Sequence, residues 1–127
     1  MTESVLIVGG GPVGATLALT LQHKGIAVTM LEARAKGAAY QDQRALALSY
    51  GSRAILEKLG VWAKLDAQAT AINTIHISQR GSFGRSLLKA QDHDLSALGY
   101  VLSYGALTQA LDEALADFNG VEVIYEA

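Results

Sequence analysis

Four apolar residues in succession, Val5 to Val8, run into three glycines and a proline, and the spacing of apolar positions then changes. A short continuous apolar run closed by Gly9 is the pattern of a strand buried on both faces of a parallel sheet. Pro12 suits the first turn of a helix, where its missing N–H would have no partner anyway. Behind it Val13, Leu17 and Leu21 recur every fourth residue on one helical face, and Gly25 after Lys24 is a stop signal. Ile26 to Leu31 is a second strand-like run, ending at Glu32. The order strand, tight turn, helix, strand predicts one βαβ unit of about thirty residues.

Past residue 48 the pattern is less regular. The stretch "SYGSRAILEKLG", residues 49–60, predicts a short helix with Ser49 as its cap and Gly60 as its stop, and "VWAKLDAQAT" adds a turn or two. Residues 72–90, "INTIHISQRGSFGRSLLKA", alternate apolar and polar around "QRGSFG", the pattern of an antiparallel hairpin with one wet face. In "LTQALDEALADF", residues 107–118, Leu107, Leu111, Leu115 and Phe118 share a helical stripe, and "VEVIYEA" reads as a third strand. Tyr100, Tyr104 and Trp62 are read as core or hairpin packing.

Composition narrows the function classes. A chain of 127 residues is the size of one domain, able to remove roughly two-thirds of its unfolded surface from water. It is 50% hydrophobic and 17% charged, with a mean hydropathy of +0.24, so part of its apolar surface is expected to pack against something else. The net charge is −2 and the basic residues are scattered, which argues against nucleic-acid binding. With no cysteine there is no disulfide, thiolate metal site or cysteine nucleophile, and a reducing, cytoplasmic setting is expected. The opening segment lacks a basic n-region and a long apolar run, so no signal peptide or membrane span is read there. His23, His76 and His93 are too widely spaced for a metal site, and the serines lack a GxSxG setting.

The glycines are the chemical signal. Gly9, Gly11 and Gly14 match GxGxxG between a strand and a helix. The first allows the tight turn, the second lets backbone approach a pyrophosphate, and the third lets helix and sheet pack closely. Pro12 and Val13 start a helix whose unpaired N–H groups and positive dipole end would face that phosphate. Glu32 ends the next strand 18 residues beyond Gly14, where a carboxylate can accept from a ribose diol. No GK[ST] follows, which excludes a mononucleotide P-loop. NAD and FAD both remain open at this point.

Residues 42–62, "DQRALALSYGSRAILEKLGVW", resemble the FAD-dependent aromatic hydroxylases of the para-hydroxybenzoate hydroxylase class, and residues 75–111 are most similar to its ubiquinone-biosynthesis hydroxylases. That resemblance implies an α/β fold: a Rossmann-like FAD-binding unit with parallel strands, plus a hairpin at about 72–90 from the start of a substrate-side sheet. It implies that Gly9, Gly11 and Gly14 face the FAD pyrophosphate, Glu32 the adenosine ribose and Arg34 the adenosine edge. Arg44 would reach the pyrophosphate or ribityl chain from the far side; an exposed ion pair with Asp42 is the alternative. Relatives often carry arginine or glutamine near the start of the helix after the hairpin, where this chain reads "SYGALTQ"; Gln109 is the candidate substitute, or else faces solvent.

The implied activity is hydroxylation of a prenylated methoxyphenol ring with NAD(P)H and O2, with no catalytic residue assigned to this chain. The family's later "DG" and "GD" segments are not found here, so residues 1–127 are expected to be the N-terminal part of the FAD-binding domain. An unfinished sheet favours self-association of such a piece, and the parent would lie in the cytoplasm, with peripheral contact to the inner membrane for a prenylated substrate. The alternatives are another flavoprotein of the same fold, of the prenyl reductase type, and a nucleotide-binding module without redox activity.

Overall fold

A computed structural model describes residues 3–77, 81, 84 and 86–127. The βαβ unit forms as expected: β1 (Ser4–Val8), α1 (Pro12–His23) and β2 (Ala27–Glu32), with β1 and β2 parallel and Ser4 to Val8 opposite Ala27 to Leu31. A second sheet follows. Its strands are β3 (Ala45–Ser49), β4 (Thr70–Ile72) and, further on, β7 (Gly99–Ser103), in the antiparallel order β3-β7-β4. Between β3 and β4 lie α2 (Tyr50–Lys58) and two short 3-10 turns at Trp62–Lys64 and Asp66–Gln68. Ser49 caps α2 by accepting from the Ser52 N–H at 3.0 Å, as the sequence predicts.

The hairpin is β5 (Thr74–Ile77) against β6 (Ser86–Lys89), antiparallel, with Thr74 opposite Lys89. Most of its "QRGSFG" turn, namely residues 79, 80, 82 and 83, lies outside the described residues. The last elements are α3 (Tyr104–Ala116), capped by the Ser103 hydroxyl, and β8 (Val121–Tyr125), which adds parallel to β2 and completes the order β1-β2-β8.

The core lies where α1 and α3 meet each other and one face of the parallel sheet. Leu107, Leu111 and Leu115 of α3 are buried there with Ile7, Val28 and Met30. Burying side chains of this size contributes about 1.5–3 kcal/mol each. A lobe of the same core gathers Leu56, Val61, Trp62, Leu65 and Leu102, with Trp62 edge-on to Tyr100 at 4.9 Å and the Arg53 guanidinium 5.4 Å from the Trp62 ring.

Three expectations are corrected. β1 is buried on one face only: Ile7 is inside, while Leu6 and Val8 are 60% and 79% exposed, because the helices cover a single side of the sheet and β1 is its edge. The periodic stripe of α1 is not its core face. Ala15, Ala18 and Leu19 are buried instead, since small residues let the helix approach the sheet closely, and Val13 and Leu17 turn outward into an apolar groove of about 440 Å³ shared with Leu48, Ile55, Leu56 and Leu107. Nor does the hairpin have one dry face: Ile75, Ile77 and Leu87 are all exposed.

Gly14 shows what this packing demands. A Cβ there would overlap the carbonyl oxygen of Gly9 and stand 3.4 Å from Ile7. Gly11 is different, for the nearest atom to its Cβ position is the Tyr104 hydroxyl at 3.7 Å, an ordinary contact. Gly14→Ala should therefore cost at least about 2 kcal/mol of unfolding free energy, whereas Gly11→Ala should cost less than about 1 kcal/mol. Urea titrations of both variants check the contrast; equal losses would show that the turn needs glycine at both positions for the fold itself.

Candidate functional site: an open helix start beside a buried carboxylate

The C-terminal ends of β1 and β2 bring the turn and the carboxylate together. Gly9 takes a left-handed φ of +103°, and its N–H donates to the Leu31 carbonyl at 2.8 Å, so the turn leaves β1 while still held to β2. Gly10 then passes directly over Glu32, whose Cβ is 3.1 Å from where a Gly10 Cβ would stand. The missing side chain lets the Gly10 N–H donate to Glu32 Oε1 at 3.2 Å. Gly10 is a site residue that the GxGxxG spacing passes over, although its place in an unbroken glycine triplet was a signal.

Of the three α-helices among the described residues, α2 and α3 are capped by serine hydroxyls. α1 is not. Its N-cap is Gly11, with no side chain to accept from the first turn, and Pro12 and Val13 follow. An uncapped helix start leaves N–H donors and the positive end of the dipole facing outward, a ready site for an anion. Val13 is 85% exposed, its side chain on the lining of the apolar groove.

Glu32 is nearly buried, at 8% exposure. Its Oε2 accepts from Arg34 Nε at 2.8 Å and from the Arg34 N–H at 3.2 Å. Burial pushes the carboxyl up, but the hydrogen bonds from Arg34 and Gly10 outweigh it and hold Glu32 below its ordinary range. Arg34 is thus a partner of Glu32 first, with its side chain 40% exposed toward the same opening.

Arg44 arrives by another route. It directly precedes β3, and the pairing of Ala45 with Ser103 sets it beside Tyr104, which directly follows β7; the Tyr104 N–H donates to the Arg44 carbonyl at 2.8 Å. Its guanidinium is bonded to Asp42 through Nε at 3.0 Å and a terminal nitrogen at 2.7 Å, and stands 5.1 Å from the centre of the Tyr104 ring. The ion pair with Asp42 is therefore formed, with the Arg44 side chain 76% exposed. Gln109 is exposed further along α3 and donates to Glu113 at 3.3 Å. The residue of the "SYGALTQ" stretch beside the glycine turn is Tyr104, which the sequence reading had placed in packing. Gly105 makes this possible, since a Cβ there would collide with the Tyr40 carbonyl. The Tyr40 hydroxyl in turn holds the loop to α3 by donating to Asp112 at 2.6 Å.

No group of His, Cys, Asp and Glu that could hold a metal ion is found among the described residues, nor any helix there long and apolar enough to cross a membrane. His23 packs on Phe118.

The depressed Glu32 carboxyl has a sign. A group whose folded pKa lies below its unfolded value contributes stability that is present above the unfolded pKa, near 4.5, and is lost as pH falls through the folded value. Glu32→Gln should lose that acid-dependent component while the similar one from Asp42 remains. Urea midpoints between pH 6 and 3 read the difference; parallel curves for the two proteins would mean that Glu32 titrates alike folded and unfolded.

Comparison with known proteins agrees with this geometry. Residues 2–121 match the FAD binding domain family. The chain is 34% identical over 110 residues to the ubiquinone hydroxylase UbiL of Rhodospirillum rubrum, covering 84% of this chain and 25% of that protein. It is 34% identical over 116 residues to the 3-demethoxyubiquinol 3-hydroxylase of Escherichia coli, covering 87% and 29%. Among solved structures, p-nitrophenol 4-monooxygenase PnpA from Pseudomonas putida superposes with a TM-score of 0.77 at 23% identity, over 98% of this chain and 32% of that one. The flavin-dependent monooxygenase PieE, solved with FAD and substrate, gives 0.75 at 22%, over 99% and 24%. The chain thus spans between 24% and 32% of the length of these proteins. A match over nearly all of its residues, on a fold shared with flavin monooxygenases, makes the chain a member of the FAD binding domain family.

Proposed function

We propose that this chain supplies the adenosine and pyrophosphate half of the FAD site in a flavin monooxygenase that hydroxylates the ring of a prenylated phenol with NAD(P)H and O2. The observation that carries the cofactor reading is the open start of α1 beside Glu32. The residues fit the group: Gly11 leaves a space whose nearest neighbour among the described residues is the Tyr104 hydroxyl at 3.7 Å, beside the first-turn donors of α1 and a carboxylate already oriented by Gly10 and Arg34. Gly9, Gly11, Val13 and Gly14 would present backbone to the pyrophosphate, and Glu32 would accept from the ribose hydroxyls. Arg34 would border the adenosine, and Arg44 would approach the phosphates from the side of β3.

When bound, the flavin supplies the redox and oxygen chemistry, which the protein does not itself perform. This chain's residues bind and orient the nucleotide end. The ring and its substrate are proposed to lie against other parts of a protein as long as the relatives above. The substrate class rests on the two relatives named as a ubiquinone hydroxylase and a 3-demethoxyubiquinol 3-hydroxylase.

The test uses Gly11, where bulk obstructs the ligand more than the fold. Gly11→Val should abolish binding of FAD, followed by quenching of flavin fluorescence, while circular dichroism stays that of the unaltered chain. A protein of the relatives' length carrying this chain should form hydroxylated prenylphenol in an NAD(P)H-dependent reaction that the same substitution removes. Normal flavin binding by Gly11→Val would contradict the site; flavin binding without hydroxylation of any prenylated phenol would contradict the substrate class.

A further inference from the structure

Thr108 lies inside α3 and is 6% exposed, and its hydroxyl oxygen is shut off from solvent with no hydrogen-bond partner among the described residues. A helical threonine can satisfy its hydroxyl by donating to the carbonyl four residues back. On α1 Thr16 does so to Pro12 at 2.6 Å and Thr20 to Thr16 at 2.9 Å. Thr108 makes no such bond. A buried hydroxyl without a partner carries its full desolvation cost, which is why such groups in folded proteins are almost always bonded to protein or to an ordered water.

Thr108 lines a cavity of about 20 Å³, and Asp112, one helical turn further along α3, lines it too. Gly10, Glu32, Arg34 and Tyr40 supply other parts of the wall. Acceptor capacity remains there. Glu32 takes both Arg34 bonds on Oε2 and only the Gly10 N–H on Oε1, and Asp112 receives the Tyr40 hydroxyl on Oδ2. Burial pushes the Asp112 carboxyl up, and the Tyr40 bond and the charges of Arg34 and Lys36 do not fully offset it. Size decides what can occupy the space. An organic ligand needs a pocket of roughly 300 Å³ or more, whereas one water needs about 10–15 Å³ and two to four polar partners. Dry cavities are lined by apolar groups, and this one is lined by a hydroxyl and two carboxylates.

We propose that this cavity holds one ordered water molecule, which accepts from the Thr108 hydroxyl and donates to Asp112 Oδ1 and to Glu32 Oε1, joining α3 to the end of β2. The three bonds satisfy the buried hydroxyl, give the Asp112 carboxylate a second donor and bring Glu32 to four, the number its two oxygens can accept. The water ties the carboxylate that braces the glycine turn to a second helix. It belongs to the fold and does not depend on the FAD reading above.

The experiment pairs a crystal structure of the chain that resolves ordered waters with urea unfolding of the unaltered chain and Thr108→Val. One water should lie in the cavity within hydrogen-bond distance of Thr108 Oγ1. Valine keeps the shape of threonine and nearly its helix propensity and removes only the hydroxyl. If that hydroxyl holds a water, Thr108→Val should raise the unfolding equilibrium constant about five-fold. A hydroxyl bonded to nothing predicts the opposite sign, because the methyl that replaces it carries no desolvation cost. A cavity in which no ordered water is seen would overturn the proposal, and so would a valine variant as stable as the unaltered chain or more so.

Discussion

The hydrogen bond from the Gly10 N–H to the buried Glu32 carboxylate is the constraint on which the site depends. It joins the glycine turn to the end of β2, next to the Gly9 to Leu31 bond that holds the same turn to the sheet. Without those bonds the turn could leave β1 in several directions; with them α1 has one origin and one heading. Glu32 is paired with Arg34, whose bonds with that of Gly10 hold its carboxyl below the ordinary range despite burial, so the one carboxylate serves both as a brace for the turn and as an acceptor near the opening. A buried carboxylate is costly unless it is paired in this way.

The second sheet matters through what it carries. Its pairing of β3 with β7 brings Arg44 and Tyr104 together across sixty residues of sequence, and the Tyr104 hydroxyl comes near Gly11 of the glycine turn. Two close approaches make room: Gly14 against the Gly9 carbonyl, and Gly105 against the Tyr40 carbonyl. One seats α1 on its own turn, the other seats α3 on the loop after Glu32. The site is thus built where two helix starts converge, one left open for an anion and the other closed by a serine and ending in a phenol.

How much of this was legible in the sequence follows from the range of the interactions. The βαβ unit, the Ser49 cap, the leucine stripe of α3 and the place of Glu32 at the end of β2 are set by local patterns and were read, whereas the bond from Gly10 to Glu32 was not. β3, β4 and β7 were not. "ALALS" and "GYVLS" are five residues each, and what makes them strands is a partner far away along the chain. The outward face of α1 was misread because periodicity weighs Val13 and Leu17 above Ala15 and Ala18, while close packing favours the small residues. Tyr104 looked like a core aromatic, and only the β3–β7 register reveals its neighbours.

The central claim is that the open start of α1 receives the pyrophosphate of the cofactor. Its most direct measurement is the backbone amide spectrum of the 15N-labelled chain during titration with FAD. The largest shifts should fall on the amides of Gly11, Val13 and Gly14, with a second set at Gly10 and Arg34, whose N–H groups are bonded to Glu32. Saturable binding that leaves those amides unmoved while another surface responds would contradict the account.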